Sequence, residues 1–267
     1  MDKNIEQIVT KKDIIDGLTK LGLKSGDNVM VHSSLKSFGH VEGGAETVIS
    51  ALMELLTEEG TLVMPSFNHG DIYEEGDIFD IKKTRTRNGI IPDTFWRMPG
   101  VTRSMNPTHS FAAWGKNAQR YLSRHHLVDT MGEDSPLGLL WKDGGCCLLL
   151  GVGYGSNTFH HFVETRTGAP CLTRRGEVYP VRWSDGRVEN LHTWGWRGRN
   201  CPINDPARYK GRMAAYHRQV KIGGATVTLY PLRDGYNVIA KCLQEGLRGW
   251  PPCSRCLVRP RKCEWTV

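Results

Sequence analysis

The 267-residue sequence contains no apolar run that approaches the length of a membrane span, and residues 1–15 are polar and charged, unlike a secretion signal. A cytoplasmic protein with no membrane partner is expected. Its glycines fit neither a Walker loop nor a dinucleotide fingerprint. The lack of a His-x-x-x-His pair or a third histidine ligand weighs against a zinc hydrolase built on His161, Glu164 and Asp71. RNA-recognition and helix-turn-helix signatures are missing and the aromatics are scattered, which speaks against a nucleic-acid partner. No cysteine sits in a motif with a histidine, and a covalent route through Ser33 or a cysteine is the minority alternative. Internal repeats and low-complexity linkers are absent too. What remains is a chain long enough to bury a large core as one α/β domain.

Eight cysteines without a signal peptide suggest reduced thiols or metal ligation rather than disulfides. Cys253 and Cys256 form a Cys-x-x-Cys pair after Pro251-Pro252, half of a structural zinc site. Cys201, Cys263, Cys171 and His192 are available to complete it. Such a zinc would pin the tail and take no part in chemistry; as a zinc knuckle it also carries the nucleic-acid alternative.

Lys and Arg number 35 against 28 Asp and Glu, a net charge of +7 and a pI near 9.0. A basic balance favours an anionic partner such as a nucleic acid or a phosphorylated cofactor. Its distribution says more than its sum. Asp71, Glu74, Glu75, Asp77 and Asp80 follow one another without a Lys or Arg, and Lys82, Lys83, Arg85 and Arg87 come directly after. An acidic loop on a basic protein could hold a cationic ligand while the rest attracts an anionic one.

Apolar spacing predicts a helix over 11–23 with Gly22 as its stop, a strand over 28–32, a helix over 45–56 opened by Gly43-Gly44, and a buried strand over 61–64 ended by Pro65. Glycines ahead of a helix leave N–H groups open to an anion, so a diphosphate at Gly43-Gly44 is physically reasonable. Residues 89–97 read as helix, 111–114 as strand, 117–123 as a short helix, and 125–136 as a long connection. Residues 177–183 and 187–194 flank Ser184-Asp185-Gly186, a hairpin signal. Residues 225–230 read as a strand and 236–244 as a closing helix. The alternation of strand and helix argues for an α/β layered mixed sheet with flanking helices. A core of about 1–170 and a smaller hairpin lobe of about 171–267 are expected.

The chain is organised around residues 146–164. An apolar run of strand length meets a loop with Gly151, Gly153 and Gly155, and Ser156, Asn157 and Thr158 then offer caps for a helix. Helical spacing puts Thr158, His161 and Glu164 roughly along one face, so a hydroxyl, an imidazole and a carboxylate could converge there.

Four separated stretches then coincide with one family: Val31-His32-Ser33-Ser34-Leu35 with Gly43-Gly44; Gly60 to Ser66; Arg103-Ser104-Met105-Asn106-Pro107-Thr108-His109-Ser110; and Leu149 to Gly153 through Asn157 to Glu164. In order and spacing they resemble the aminoglycoside 3-N-acetyltransferases. The resemblance implies that family's own α/β fold and acetyl transfer from acetyl-coenzyme A to an amino group of an aminoglycoside, by a monomer or homodimer. It makes His161 the general base, Glu164 the group that orients it, and Asp71 a substrate-binding or catalytic acid. His160 beside it is given a packing or supporting role. With Asp71, the substrate is expected against Glu74, Glu75, His109 and Glu189. The coenzyme is expected against His32, Ser33, Ser34, Gly43, Gly44, Arg103, Ser104 and Thr158. Two departures stand out: Asn106 replaces a family histidine before Pro107, and the stretch 192–199 lacks the glutamate that some members carry, leaving Glu189 as a displaced candidate. Another amine acceptor within the same family is the remaining alternative.

The chemistry makes sense of this set. An amine protonated at neutral pH cannot attack a thioester, so the site must remove a proton, and histidine has the suitable pKa. Carboxylates would hold the polycation beside the thioester, and N–H groups from the Ser33-Ser34 turn or the 151–158 loop would stabilise the oxyanion.

Overall fold

The structure, a computed structural model, describes residues 8–68, 77–167, 178–192 and 207–244. Three strands, β1 (Asn28–Ser33), β2 (Thr61–Pro65) and β6 (Cys146–Leu150), run parallel in the order β2-β1-β6. Their near-continuous apolar runs suit strands covered on both faces. Antiparallel strands extend the sheet at both sides. On one, β5 (Phe111–Gly115) pairs with β2 and with β4 (Thr102–Arg103); on the other, β10 (Ala225–Pro231) pairs with β6 and with β9 (Arg218–Ile222). The result is a seven-stranded mixed sheet of order β4-β5-β2-β1-β6-β10-β9.

The pleat divides the core in two. Val29, Val31, Leu62, Met64, Leu148 and Leu150 face one layer, with α1 (Lys11–Leu21), α2 (Gly44–Leu56) and α3 (Ile90–Phe95). Met30, Val63, Cys147 and Leu149 face the other. There they meet α4 (Ala118–Leu122), α5 (Pro136–Lys142), α6 (Phe159–Arg166), α7 (Ala207–Met213) and α8 (Leu232–Gln244). Each fully buried Leu, Ile or Phe contributes roughly 1.5–3 kcal/mol, so these two layers dominate stability. Local signals set the helix ends: Thr10 and Asp13 cap α1 reciprocally, and Gly22 closes it at φ 92°. Among the described residues no helix is long and apolar enough to cross a membrane.

The chain beyond about residue 171 contributes to both sheets. It supplies β9, β10 and α8 to the main core, because Val227, Leu229 and Tyr230 are buried and β10 covers what would otherwise be the open edge of β6. The hairpin does stand apart. Strands β7 (Val178–Arg182) and β8 (Val188–His192) form a separate sheet with β3 (Phe79–Asp80), packed through Phe79, Tyr179, Val181, Leu191 and Met105. Five of these elements were not foreseen: β3, β4, α5, α7 and β9. Within α5, Ser135 caps Gly138 N and Pro136 starts the helix, while β9 carries only Val220 and Ile222 as apolar residues.

Candidate active site

In open α/β sheets ligands bind beyond the carboxyl ends of the strands. Here β1 ends at Ser33, β2 leads to the acidic stretch, β4 ends at Arg103, β5 begins after His109, and β6 ends before Gly151. Strand directions place Ser33, Pro65, Arg103, Phe111 and Leu150 along one edge of the sheet. Gly151 turns the chain there at φ 74°, where an added Cβ would lie 2.7 Å from Ser37 Cβ, so the turn requires glycine.

The helix α6 carries the centre of the site. His161 Nδ1 lies 2.9 Å from Glu164 Oε2, and both residues are buried, Glu164 completely. A carboxylate on Nδ1 fixes the ring orientation and stabilises its protonated form. His160 stacks edgewise on His161 with ring centroids 3.9 Å apart. His160, His161 and Glu164 offer ligand atoms within 4.8 Å of one another, a set able to hold a divalent cation. Tyr209, on α7, lies on the same side. Burial pushes its hydroxyl pKa up, and the nearby Glu164 charge adds to the effect.

Thr158 does not join His161 and Glu164 as a third converging group. Its Oγ1 lies 3.1 Å from His32 Nε2, and its N–H donates to the same nitrogen at 3.3 Å. That N–H is therefore taken and cannot serve the oxyanion. The side chain that bonds the start of α6 is that of Asn157, the residue before the cap, whose Oδ1 accepts Phe159 N–H at 3.2 Å.

The residues expected around the coenzyme fall into different environments. His32 is buried, and burial lowers its pKa to about 3. The pleat sends it to the α6 face and Ser33 to the opposite one. Ser33 Oγ is a buried hydroxyl without a hydrogen-bond partner among the described residues. Ser34 N–H is bonded to Leu150 O, and its Oγ accepts from Ser37 Oγ at 3.0 Å. Gly43 and Gly44 open α2 at φ 71° and 63°, with no side chain capping the first turn.

Arg103 and Ser104 both make buried hydrogen bonds within the protein. Arg103 donates to Thr84 O, Ser66 O and Ser110 Oγ and lies over the Trp96 ring. Burial lowers its pKa to about 9. Ser104 Oγ accepts Phe111 N–H and donates to His125 Nδ1 at 2.9 Å, while His125 Nε2 donates to Thr130 O at 2.9 Å. His125 lies in the stretch expected to be a plain connection, and nothing in its sequence neighbourhood signals the pair.

His109 is fully buried against the Phe67 edge, with Nδ1 2.7 Å from Thr108 Oγ1. Asn106, where the family has histidine, accepts from Thr108 N and His109 N and so organises the turn before β5. Glu189 sits half-buried on β8, paired with Arg187 Nη1 at 2.7 Å. Asp71, Glu74 and Glu75 lie outside the described residues, as do Cys201, Cys253 and Cys256 with Cys171 and Cys263; His192 ends β8.

Comparison with known proteins gives this arrangement a family. The profile of the aminoglycoside 3-N-acetyltransferases matches residues 30–244. The prophage-derived aminoglycoside N(3')-acetyltransferase-like protein YokD of Bacillus subtilis (strain 168) is 40% identical over 187 residues, 62% of this chain and 69% of that protein. Aminoglycoside N(3)-acetyltransferase VII of Streptomyces paromomycinus is 36% identical over 179 residues, 61% of this chain and 62% of its own length. Among solved structures, a mutant of AAC(3)-IVa in complex with a gentamicin has a TM-score of 0.79 at 26% identity, covering 97% of this chain and all of that one. AAC-IIIb in binary complex with CoASH has a TM-score of 0.78 at 25% identity, covering 90% and 98%. By profile, by sequence and by fold, the chain belongs to the aminoglycoside 3-N-acetyltransferase family.

Proposed function

We propose that this protein transfers the acetyl group of acetyl-coenzyme A to the 3-amino group of the deoxystreptamine ring of an aminoglycoside, an activity that would confer resistance, by direct attack with His161 as general base. The observation that carries the reading is the buried His161–Glu164 pair at the ligand-binding edge of the sheet. With Nδ1–H given to Glu164, the base's lone pair is on Nε2. The amine loses its proton to that nitrogen and attacks the thioester carbonyl. A C–N bond forms, the C–S bond breaks, and the coenzyme leaves as a thiol that takes up the proton. Asp71, Glu74 and Glu75 would supply the negative wall that attracts the polycation. The CoASH and gentamicin complexes of the structural relatives support this pair of ligands.

The test is release of free thiol from acetyl-coenzyme A across a panel of aminoglycosides, run with wild type and His161→Ala. Wild type releases thiol, and the variant loses about 10²–10⁴-fold in kcat while coenzyme binding survives. Unchanged turnover in the variant ends the assignment of His161. Thiol release with other amines only would move the acceptor elsewhere within the family.

A further inference from the structure

His32 and Thr158 meet across 126 positions of sequence. His32 is the penultimate residue of β1, buried on the α6 face of the sheet. Both Thr158 groups that approach Nε2 can donate, so Nε2 carries the lone pair and the proton of the neutral ring is on Nδ1. Thr158 is the cap residue of α6. An N-cap threonine ordinarily turns its hydroxyl onto an N–H of the first helical turn. Thr158 makes no such bond; its hydroxyl is directed at the imidazole of another element. Its carbonyl meanwhile accepts His161 N–H at 3.0 Å. A continuous chain of contacts therefore runs from the end of β1 through the cap of α6 to His161, whose ring in turn meets Glu164.

We propose that His32 is a positioning residue for acetyl transfer: through Nε2 it fastens the start of α6 to the end of β1 and so sets where His161 and Glu164 stand relative to the bound ligands. The proposal rests on His161 being the base. Geometry makes the role specific. A helix as short as α6, eight residues long, has little rigidity of its own, so the point where it is anchored decides the placement of a side chain one turn later. A buried, unprotonated imidazole is suited to this because its acceptor nitrogen does not change state over the working pH range. Thr158 occupies only Nε2, so this positioning role is separate from the coenzyme contact expected for His32 from the sequence.

Two substitutions separate the possibilities. His32→Gln keeps an acceptor near the Nε2 position, whereas His32→Leu keeps bulk and removes it. The expected result is a fall in kcat of about 10²-fold for His32→Leu, with KM for both substrates within about 3-fold, and recovery of most of that loss in His32→Gln. Thr158→Val, which removes the hydroxyl from the other side and leaves β1 intact, loses roughly 10-fold. This variant keeps the test open if His32→Leu fails to fold by circular dichroism.

Nitrogen-15 NMR of the histidine side chains gives a readout independent of turnover. Wild-type His32 should show the Nδ1–H tautomer throughout the working pH range, and the His161 resonances should move in His32→Leu while those of His125 stay. Wild-type kcat in His32→Leu would overturn the proposal, as would a loss confined to the KM for acetyl-coenzyme A, or a His32→Gln variant no better than His32→Leu. If wild type acetylates no aminoglycoside, the proposed function fails, and the displacement of His161 still decides whether His32 positions it.

Discussion

Two imidazoles in this protein are held by hydrogen bonds of the same length, and they teach opposite lessons. His161 meets a carboxylate at 2.9 Å, and His125 meets a serine hydroxyl and a carbonyl, each at 2.9 Å. Among the described residues no anion beside His125 stabilises the charged ring, and burial lowers its pKa to about 4, with the Thr130 contact only partly opposing this. It is a neutral cross-brace between β4 and the loop after α4. Beside His161 the Glu164 carboxylate would stabilise an imidazolium, which is what the proposed role of His161 requires. On the proposed mechanism, the partner's charge, rather than burial or bond length, is what would separate a base from a brace.

The strongest way to break this comparison is to make the two sites alike. Glu164→Gln keeps the shape and removes the charge. We expect kcat to fall by about 10²-fold and the acidic limb of its pH profile to move to lower pH, since an imidazolium without an anion beside it loses its proton more easily. A profile unchanged in position would show that Glu164 only orients the ring.

A second substitution asks whether a charge can also be purely structural. Asp93, at the start of α3, is almost fully buried. Burial alone would raise its pKa, but bonds from Arg97, Thr86 N, Trp96 Nε1 and Arg85 outweigh it and hold the carboxyl down to about 2. A depressed carboxylate stabilises the fold above the unfolded value of 3.8, and that contribution is lost as pH falls through about 2. Asp93→Asn is expected to cost about 2–3 kcal/mol in urea unfolding, with kcat changed little once folded.

The smallest effect sharpens the contrast from the other side. His125→Gln is expected to cost about 1 kcal/mol at neutral pH and to leave kcat within about 2-fold. Its pH signature is diagnostic. A buried neutral histidine with a folded pKa near 4 lets protonation of the unfolded chain erode stability as pH falls from 6.5 toward 4. The variant should flatten that slope in unfolding curves measured over the same range. An unchanged slope would assign the erosion elsewhere, with His32 as the next candidate.

Much of the scaffold could be read from the chain. The apolar runs of β1, β2 and β6 and the helical spacing of α1 and α2 are local properties that burial on both faces of a parallel sheet requires. So is the i,i+3 placement of His161 and Glu164, because a helix brings such side chains together wherever it packs. What escaped reading depends on partners far away in sequence. Strand β9 alternates weakly because its partner β10 supplies most of the burial, and α5 begins inside a stretch rich in polar residues. Ser104 and Arg103 sit within a family motif and suggest ligand contact, yet the fold spends their hydrogen bonds on His125, Ser66 and Thr84.

By itself, then, the sequence determined the layered α/β class, the order of the central elements and the imidazole–carboxylate pair, all of which follow from periodicity over a few residues. Only the tertiary structure decided that β10 closes the sheet against β6, that the hairpin pairs with β3, and that Thr158 turns to His32 instead of toward Glu164. The reason is physical: periodicity states which face of an element is buried, whereas the partner of a buried polar group is chosen by whichever donor or acceptor the assembled sheet brings within about 3 Å.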